Sequence, residues 1–507
     1  MGRRHGRGFP ARPIISRSRG VSGGEAIDDT RIAAFNPWWV RRDWMDVDPH
    51  LRRLRDQPVR LPARLVEELD LTTPGVHTIR GPRQVGKSTD LKLLAERALR
   101  DGRDPRRVIY LALDLLEDQP VAAVAREIEH AKALAAGQDG ALLLLDEVTA
   151  VRSWQVAVKD LWDRGVIDRD VVVCTGSSAV DLAQGTAERL PGRRGAGRDH
   201  LVLPQSFAAF ATSLIQGLPP SPGLRLGQLL DENGRRAIEE IRVYGPQLRD
   251  ALERYVRFGG LPAAVAEAAA GGDTPPDDLQ RVLWDSLVRE ILRKGASEPA
   301  ARALLERVFR SLGSRTSWNH MAQEMDVPLG RRGSAPPDHR TVRDYVEFLA
   351  IGYFVLIVYF WRRDSDSGSV SRQKKIYFGD PLLHTITHDL CCPGLPLDMP
   401  ALVENVIGLA LYRRYEPEAR QIEGFLYPED VHVWETSKGN EVDFVCGPRD
   451  GIEAAEVKYQ NRIDRRDLSG LRRAFPSRPV VIATKDEIDL GDGYALVPAH
   501  LLLWALG

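Results

Sequence analysis

At 507 residues the chain is too long for one ordinary hydrophobic core, and three or four domains are expected. Its 43% hydrophobic and 28% charged residues are the mix of a soluble globular protein, and no apolar run reaches the ~20 residues of a membrane span. The net charge is −1, and the four cysteines, Cys174, Cys391, Cys392 and Cys446, form no C-x-x-C pair, so neither a zinc site nor a disulfide framework is indicated and a reducing cytoplasm fits.

A basic stretch opens the chain. Residues 1–20 hold six arginines and no acid, the composition of a disordered tail over 1–30. It reads either as an arm for nucleic acid or as a solvated segment. It lacks the apolar core of a secretory signal, although arginine- and serine-rich tails also serve as transit peptides. Elsewhere arginine is the default base: only ten of the 70 basic residues are lysine. A lysine inside a motif therefore points to a need for a compact ammonium. Lys87 and Lys458 sit in the two motifs described below.

After Asn36-Pro-Trp-Trp39, strand-like runs recur at 76–80, 108–113, 141–145 and 171–174, with a fifth at 200–203. Helical stretches such as 90–99 and 121–134 separate them. This alternation predicts a parallel sheet covered on both faces, an α/β domain over 31–215 that ends before the proline-rich segment at Leu218. The first strand runs into Gly81-Pro-Arg-Gln-Val-Gly-Lys-Ser-Thr89, the G-x-x-x-x-G-K-[ST] pattern in the strand–loop–helix setting that it needs. Gly81 and Gly86 let the backbone wrap phosphates, and the amides and helix N-terminus face the anion. Lys87 reaches the β- and γ-phosphates, and Ser88, followed by Thr89, ligates Mg²⁺. ATP with Mg²⁺ is the expected cofactor.

Leu142-Leu-Leu-Leu-Asp-Glu147 follows about 60 residues later. Asp146, at the end of a buried strand, suits the Mg²⁺ shell, and Glu147 suits orienting or deprotonating the attacking water. In Val173-Cys-Thr-Gly-Ser-Ser178, Thr175 or Ser177 either lies beside the γ-phosphate or caps a turn. In Glu188-Arg-Leu-Pro-Gly-Arg-Arg194, Arg193 is the candidate to complete a neighbouring subunit's site, with Arg189 and Arg194 behind it. A solvated loop accounts for the same residues.

Residues 234–295 read as helices, broken at Phe258-Gly-Gly-Leu-Pro262 and again at 271–276. Residues 298–363 read as helix, helix, turn-rich loop, helix, strand, which is a winged-helix order. Asp338 is the expected N-cap of its third helix, with Val342, Tyr345, Val346 and Leu349 as the apolar face. That helix carries Arg340 and Arg343 but also Asp344 and Glu347, so DNA binding and a purely structural role stand side by side. Arg331 and Arg332 in the preceding loop are alternative phosphate contacts. From Ile376 onward strands return at 431–434, 441–445, 453–457 and 480–483, with helices at 402–413 and 465–474, as a second α/β domain.

The fragments NPWW, GPRQVGKST, LLLLDEV, CTGSS, LPGR, LPQSF, FGGLP, YFGDPLL, LVENV and EVDFV followed by EVK run in this order along nearly the whole chain. In that order the sequence resembles the prokaryotic AAA-type ATPases that join a P-loop domain to a winged helix and a C-terminal nuclease-like domain. The resemblance implies an AAA core, a helical lid and oligomers. The expected fold is thus a P-loop AAA-type α/β domain over 31–215, a helical lid over 216–296, a winged helix over 297–370 and an α/β nuclease-like domain over 371–507.

In that last segment Asp443 on one strand and Glu456 and Lys458 on the next form a hairpin. Period-2 alternation puts Glu456 and Lys458 on one face. Two carboxylates can hold a hard Mg²⁺ there, and the lysine can steer water or a scissile phosphate. The D…E-x-K order resembles the PD-(D/E)XK nucleases, with Glu404 as a further metal carboxylate and Gln460 where some relatives carry glutamine. Three functions remain in view: an ATP-hydrolysing machine acting on DNA, a nucleotide-gated switch or scaffold with an inactive nuclease-like domain that binds a protein, and a DNA-binding regulator that uses ATP to assemble.

Overall fold

The computed structural model describes residues 28–116, 119–135, 140–176, 182, 194–325, 327, 329, 337–361, 373–435, 441–448 and 451–507. Five strands, β1 (Gly75–Arg80), β2 (Val108–Ala112), β3 (Leu142–Asp146), β4 (Val171–Thr175) and β5 (Asp199–Leu201), form one sheet in the order β2-β3-β4-β1-β5. Every pairing in it is parallel. Alternate residues of each strand enter different cores, as a sheet buried on both faces requires. Val76, Ile109, Leu143, Leu145 and Val172 face one set of buried side chains, which the helices Val121–Leu134 and Trp154–Asp163 help to cover. Ile79, Val108, Leu142, Leu144 and Val173 face the other, with the helix Lys87–Arg100.

The Asn36-Pro-Trp-Trp39 segment straps the edge strand. The Asn36 side chain brackets Tyr110, accepting from its amide (2.6 Å) and donating to its carbonyl (3.0 Å). The indoles of Trp38 and Trp39 both donate to the Val108 carbonyl.

Beyond the sheet, helices dominate from Phe207–Leu214 through Asp277–Arg293 to Glu298–Arg310. The helix His339–Ile351 starts as its sequence predicts: the Asp338 carboxylate accepts from the Thr341 amide at 2.7 Å, and Val342, Tyr345, Val346 and Leu349 are buried. Strands β6 (Thr316–Ser317), β7 (Val355–Tyr359) and β8 (Gln373–Phe378) form a three-stranded sheet in the order β6-β8-β7. Here the structure differs from the sequence reading. Ile376 lies on β8, which pairs antiparallel with β7 from Val355–Phe378 to Tyr359–Lys374. A boundary at 370 therefore runs between two hydrogen-bonded strands. The 430–498 region holds β9 (Val431–Glu435), β10 (Glu441–Cys446), β11 (Glu453–Lys458), β12 (Val480–Thr484), β13 (Asp489–Gly491) and β14 (Tyr494–Pro498), a mixed sheet ordered β13-β14-β12-β11-β10-β9.

The segments after the parallel sheet do not keep separate cores. One continuous set of buried side chains runs from Phe207 to Leu506 and takes in Val85 of the P-loop. Two helices explain the merger. Pro381–Cys391 packs on Gly245–Phe258, Asp277–Arg293 and Glu298–Arg310. The last helix, Ala499–Leu506, returns to Phe207–Leu214 and Gly245–Phe258. Among the described residues no helix is long and apolar enough to cross a membrane.

Candidate functional site

The loop after β1 has the geometry of an anion cradle. Gly81 has φ +141°, and a Cβ there would lie 1.9 Å from the Val202 carbonyl oxygen, so only glycine lets the loop leave the strand. Gly86 sits at φ +101° at the N-cap of Lys87–Arg100, and no side chain caps that helix. A Cβ on Gly86 would meet nothing within 4 Å, so it is the backbone angle that demands glycine there. The first amides of a 14-residue helix are thereby left for a ligand. Ser88 and Thr89 occupy its first turn, half-buried.

Lys87 folds over this loop and donates to the carbonyls of Gly81 (2.9 Å) and Pro82 (2.7 Å). Burial pulls its pKa down to about 8, although Glu147 and Asp146 oppose the shift. A buried ammonium that donates to neutral carbonyls, and whose burial outweighs the nearby carboxylates, is short of counter-charge, which suits it to meet phosphate.

Asp146 ends β3 beside Ala112 of β2. Its Oδ2 accepts from the Tyr110 hydroxyl at 2.7 Å. Its Oδ1 accepts from the Glu147 amide at 3.1 Å and from the Thr175 hydroxyl. Burial, with Asp146 second, pushes the Tyr110 phenol above its ordinary value, so it remains a donor. Thr175, expected beside the γ-phosphate or as a turn cap, directs its hydroxyl at this carboxylate. Glu147 follows in a left-handed conformation, φ 52°, half-buried next to the loop. The sequence reading passed over Tyr110 because a tyrosine inside an apolar strand carries no motif.

Lys92, a turn beyond Lys87, lies 3.4 Å from the centre of the Tyr110 ring and 3.6 Å from Asp48. The P-loop also reaches the helix Asp277–Arg293: Arg83 pairs with Glu290 at 3.2 Å. Arg194 closes the sheet edge, donating to the Val76 carbonyl and pairing with Asp199 at 2.9 Å. Ser177, Arg189 and Arg193 lie outside the described residues, as do Arg331, Arg332 and residues 1–27 of the expected tail, whose last residues, 29–30, instead begin the helix Asp29–Phe35.

The C-terminal candidates do converge. Asp443 and Glu456 meet across the β10–β11 hairpin: the Asp443 amide donates to Glu456 at 3.2 Å, and the Val457 amide donates to Asp443 at 2.9 Å. Glu404 arrives from the helix Met399–Tyr415. Lys458 turns onto Glu456 at 2.7 Å, and Gln460 is exposed.

The place between the acids holds the ammonium of Lys375, on β8. Its Nζ lies 2.8 Å from Glu404, 2.7 Å from Glu441 and 2.8 Å from Asp443. Tyr377, two residues along the same strand, donates to Glu404 at 2.7 Å. The sequence reading expected Glu404, Asp443 and Glu456 to gather around a divalent ion, and it passed over Lys375, Tyr377 and Glu441. The available signal was lysine scarcity, since Lys375 is one of the ten. Among the described residues no group of three or more His, Cys, Asp or Glu side chains is arranged to hold a metal ion. Burial works against the charge on Lys375, but Asp443, Glu404 and Glu441 outweigh it and raise its pKa. Burial and then Asp443 push Glu404 and Glu456 upward. The geometry secures the ammonium, which has a carboxylate for each of its three protons.

Comparison with known proteins divides the chain. Residues 73–211 match the AAA domain family. Residues 249–388 and 400–502 match two domains of unknown function, DUF8612 and DUF4143. An uncharacterized protein of Methanocaldococcus jannaschii, MJ1637, is 22% identical over 433 residues, 82% of each chain. Among solved structures, the Aeropyrum pernix ORC2 protein aligns at TM-score 0.32 and 13% identity, over 69% of this chain and 94% of its own. The Pyrobaculum aerophilum Cdc6p structure aligns at TM-score 0.24 and 16% identity, over 67% and 97%. The family match, the parallel sheet and the P-loop together make residues 73–211 an AAA-type P-loop ATPase domain.

Proposed function

We propose that this chain is an ATP-hydrolysing machine that works on DNA as an oligomer, with a nuclease-like C-terminal region. One observation carries the ATPase reading: Lys87, starved of counter-charge, and Asp146, gripped on both oxygens by Tyr110 and Thr175, stand at the same end of the sheet. Gly81, Gly86, Lys87 and Thr89 would cradle the phosphates. Ser88 and Asp146 would hold Mg²⁺, which supplies positive charge against the phosphate oxygens. Glu147 would orient or deprotonate the attacking water, and Thr175 would keep Asp146 in place. Ser177 and Arg193 are proposed as sensor and as the arginine given to a neighbouring subunit. Arg83–Glu290 would carry the loop's state to the lid at 216–296. The helices and three-stranded sheet after it would form a winged helix that begins at 297 and, because β8 pairs with β7, runs past the expected boundary at 370 to Phe378, and the remainder of the chain would form the nuclease-like domain.

The test is the ATPase rate with and without single-stranded, duplex and branched DNA. Stimulation by any one of them is expected. Turnover that ignores all three would remove DNA from the reading, and no turnover at all would remove hydrolysis. A second reading, a nucleotide-gated switch or scaffold whose nuclease-like domain is inactive and binds a protein, is favoured by the Lys375 ammonium among the acids.

A further inference from the structure

We infer that Lys375 is the resident cation of the C-terminal acidic cluster, and that the native cluster admits no divalent ion. The inference deepens the second reading and takes from the nuclease-like assignment only the choice of ion to test.

Three features support it. The first is donor count. An ammonium has three protons, and here three carboxylates from two elements, the helix Met399–Tyr415 and β10, stand within 2.8 Å of Nζ. The second is anchorage. Lys375 is a central-strand residue: β8 is hydrogen-bonded to β6 on one side and β7 on the other. Its side chain is 2% exposed. Its backbone is fixed by strand pairing, and a buried ammonium that left these three carboxylates would carry an unpaired charge at high cost. The third is the state of the acids. The second oxygen of Asp443 accepts from Val457, and the Glu404 oxygen facing Lys375 also accepts from Tyr377. Glu456 has one oxygen on Lys458 and the other on the Asp443 amide.

A hard divalent ion needs about six oxygen ligands at roughly 2.0–2.6 Å. Such an ion drawing on Glu404 and Asp443 would stand against the ammonium that already joins them. At that range two cations repel strongly, so one must leave. The cluster thus acts as a clasp. It ties β8 of the three-stranded sheet to β10 of the six-stranded sheet and to the helix Met399–Tyr415. Metal-assisted hydrolysis is then closed to it as long as Lys375 is in place.

The experiment counts Mn²⁺ bound to nucleotide-free full-length protein, by loss of the free-ion paramagnetic signal, alongside thermal melts. Wild type, Asp443→Asn, Lys375→Met and Lys375→Met/Asp443→Asn are compared. Wild type and Asp443→Asn should bind equal Mn²⁺. Lys375→Met should gain about one ion per chain and a Mn²⁺-dependent rise in melting temperature, both lost in the double variant. Fewer ions on Asp443→Asn than on wild type would overturn the inference, as would a folded Lys375→Met that gains none. If Lys375→Met folds only with Mn²⁺, the inference stands. If it folds under neither condition, the wild-type and Asp443→Asn pair decides. A DNA-blind ATPase would leave these outcomes untouched, so the two readings fail separately.

Discussion

Two buried lysines lie at the two candidate sites, and they are held in opposite ways. Lys87 rests on the neutral carbonyls of Gly81 and Pro82, and burial brings its pKa down to about 8. Lys375 touches three carboxylates, and its pKa is raised. Both pay for leaving water; carboxylates outweigh that cost for the second, whereas for the first Glu147 and Asp146 only partly oppose it. On the proposed reading, the contrast separates a lysine that would meet an anionic ligand from one that is itself the counter-ion. In the D…E-x-K hairpin the residue types of a metal site are present, yet the charge they would lend to an ion is already used.

The sharpest way to break this contrast is at the first site. Glu147→Gln should keep nucleotide binding while turnover falls by roughly 10²–10⁴, the usual worth of a general base. Lys87→Ala should lose binding itself. Turnover assays and a fluorescent-nucleotide titration read the two effects. Wild-type hydrolysis by Glu147→Gln would take that residue out of the site.

Next in size is stability at the second site. Removing one partner of a buried ionic cluster leaves unpaired charge, so Lys375→Met should lower the unfolding free energy by about 3–5 kcal/mol. Lys458, whose side chain is 33% exposed and which pairs with Glu456 at 2.7 Å, should cost about 1 kcal/mol or less as Lys458→Met. Denaturant melts check the ordering, and equal losses would mean that Lys375 is no more structural than its neighbour.

The smallest effect is pH dependence at Lys87. Bound phosphate favours the charged form, whereas the free protein loses the proton near pH 8. Nucleotide affinity should therefore be flat below about pH 8 and fall by up to about tenfold per unit above it, as binding takes up a proton. Affinity that holds to pH 10 would show that Lys87 is not desolvated in the free state.

Much of this was legible in the chain itself. Helices expected at 121–134 and 465–474 are found as Val121–Leu134 and Arg465–Ala474. The strand under the four leucines, the P-loop between strand and helix, the Asp338 cap and the Asp443–Glu456 hairpin were all readable. Each depends on residues no more than 13 positions apart, where period, capping and turn chemistry dominate. The junction of domains was not readable, because proline- and glycine-rich punctuation marks breaks in helices and says nothing of which core the next helix enters.

The sequence by itself determined the local elements, the anion loop and the acids of the C-terminal hairpin. Only the tertiary structure decided what those charges face. Lys375 and Asp443 are 68 residues apart, and Tyr110 and Asp146 are 36 apart. Period 2 puts Lys375 and Tyr377 on one face of a strand, but the pairing of β8 with β7 chooses where that face points. A lysine's role follows from the charge that packing brings to it, and that is a property of distant segments meeting in a low-dielectric interior.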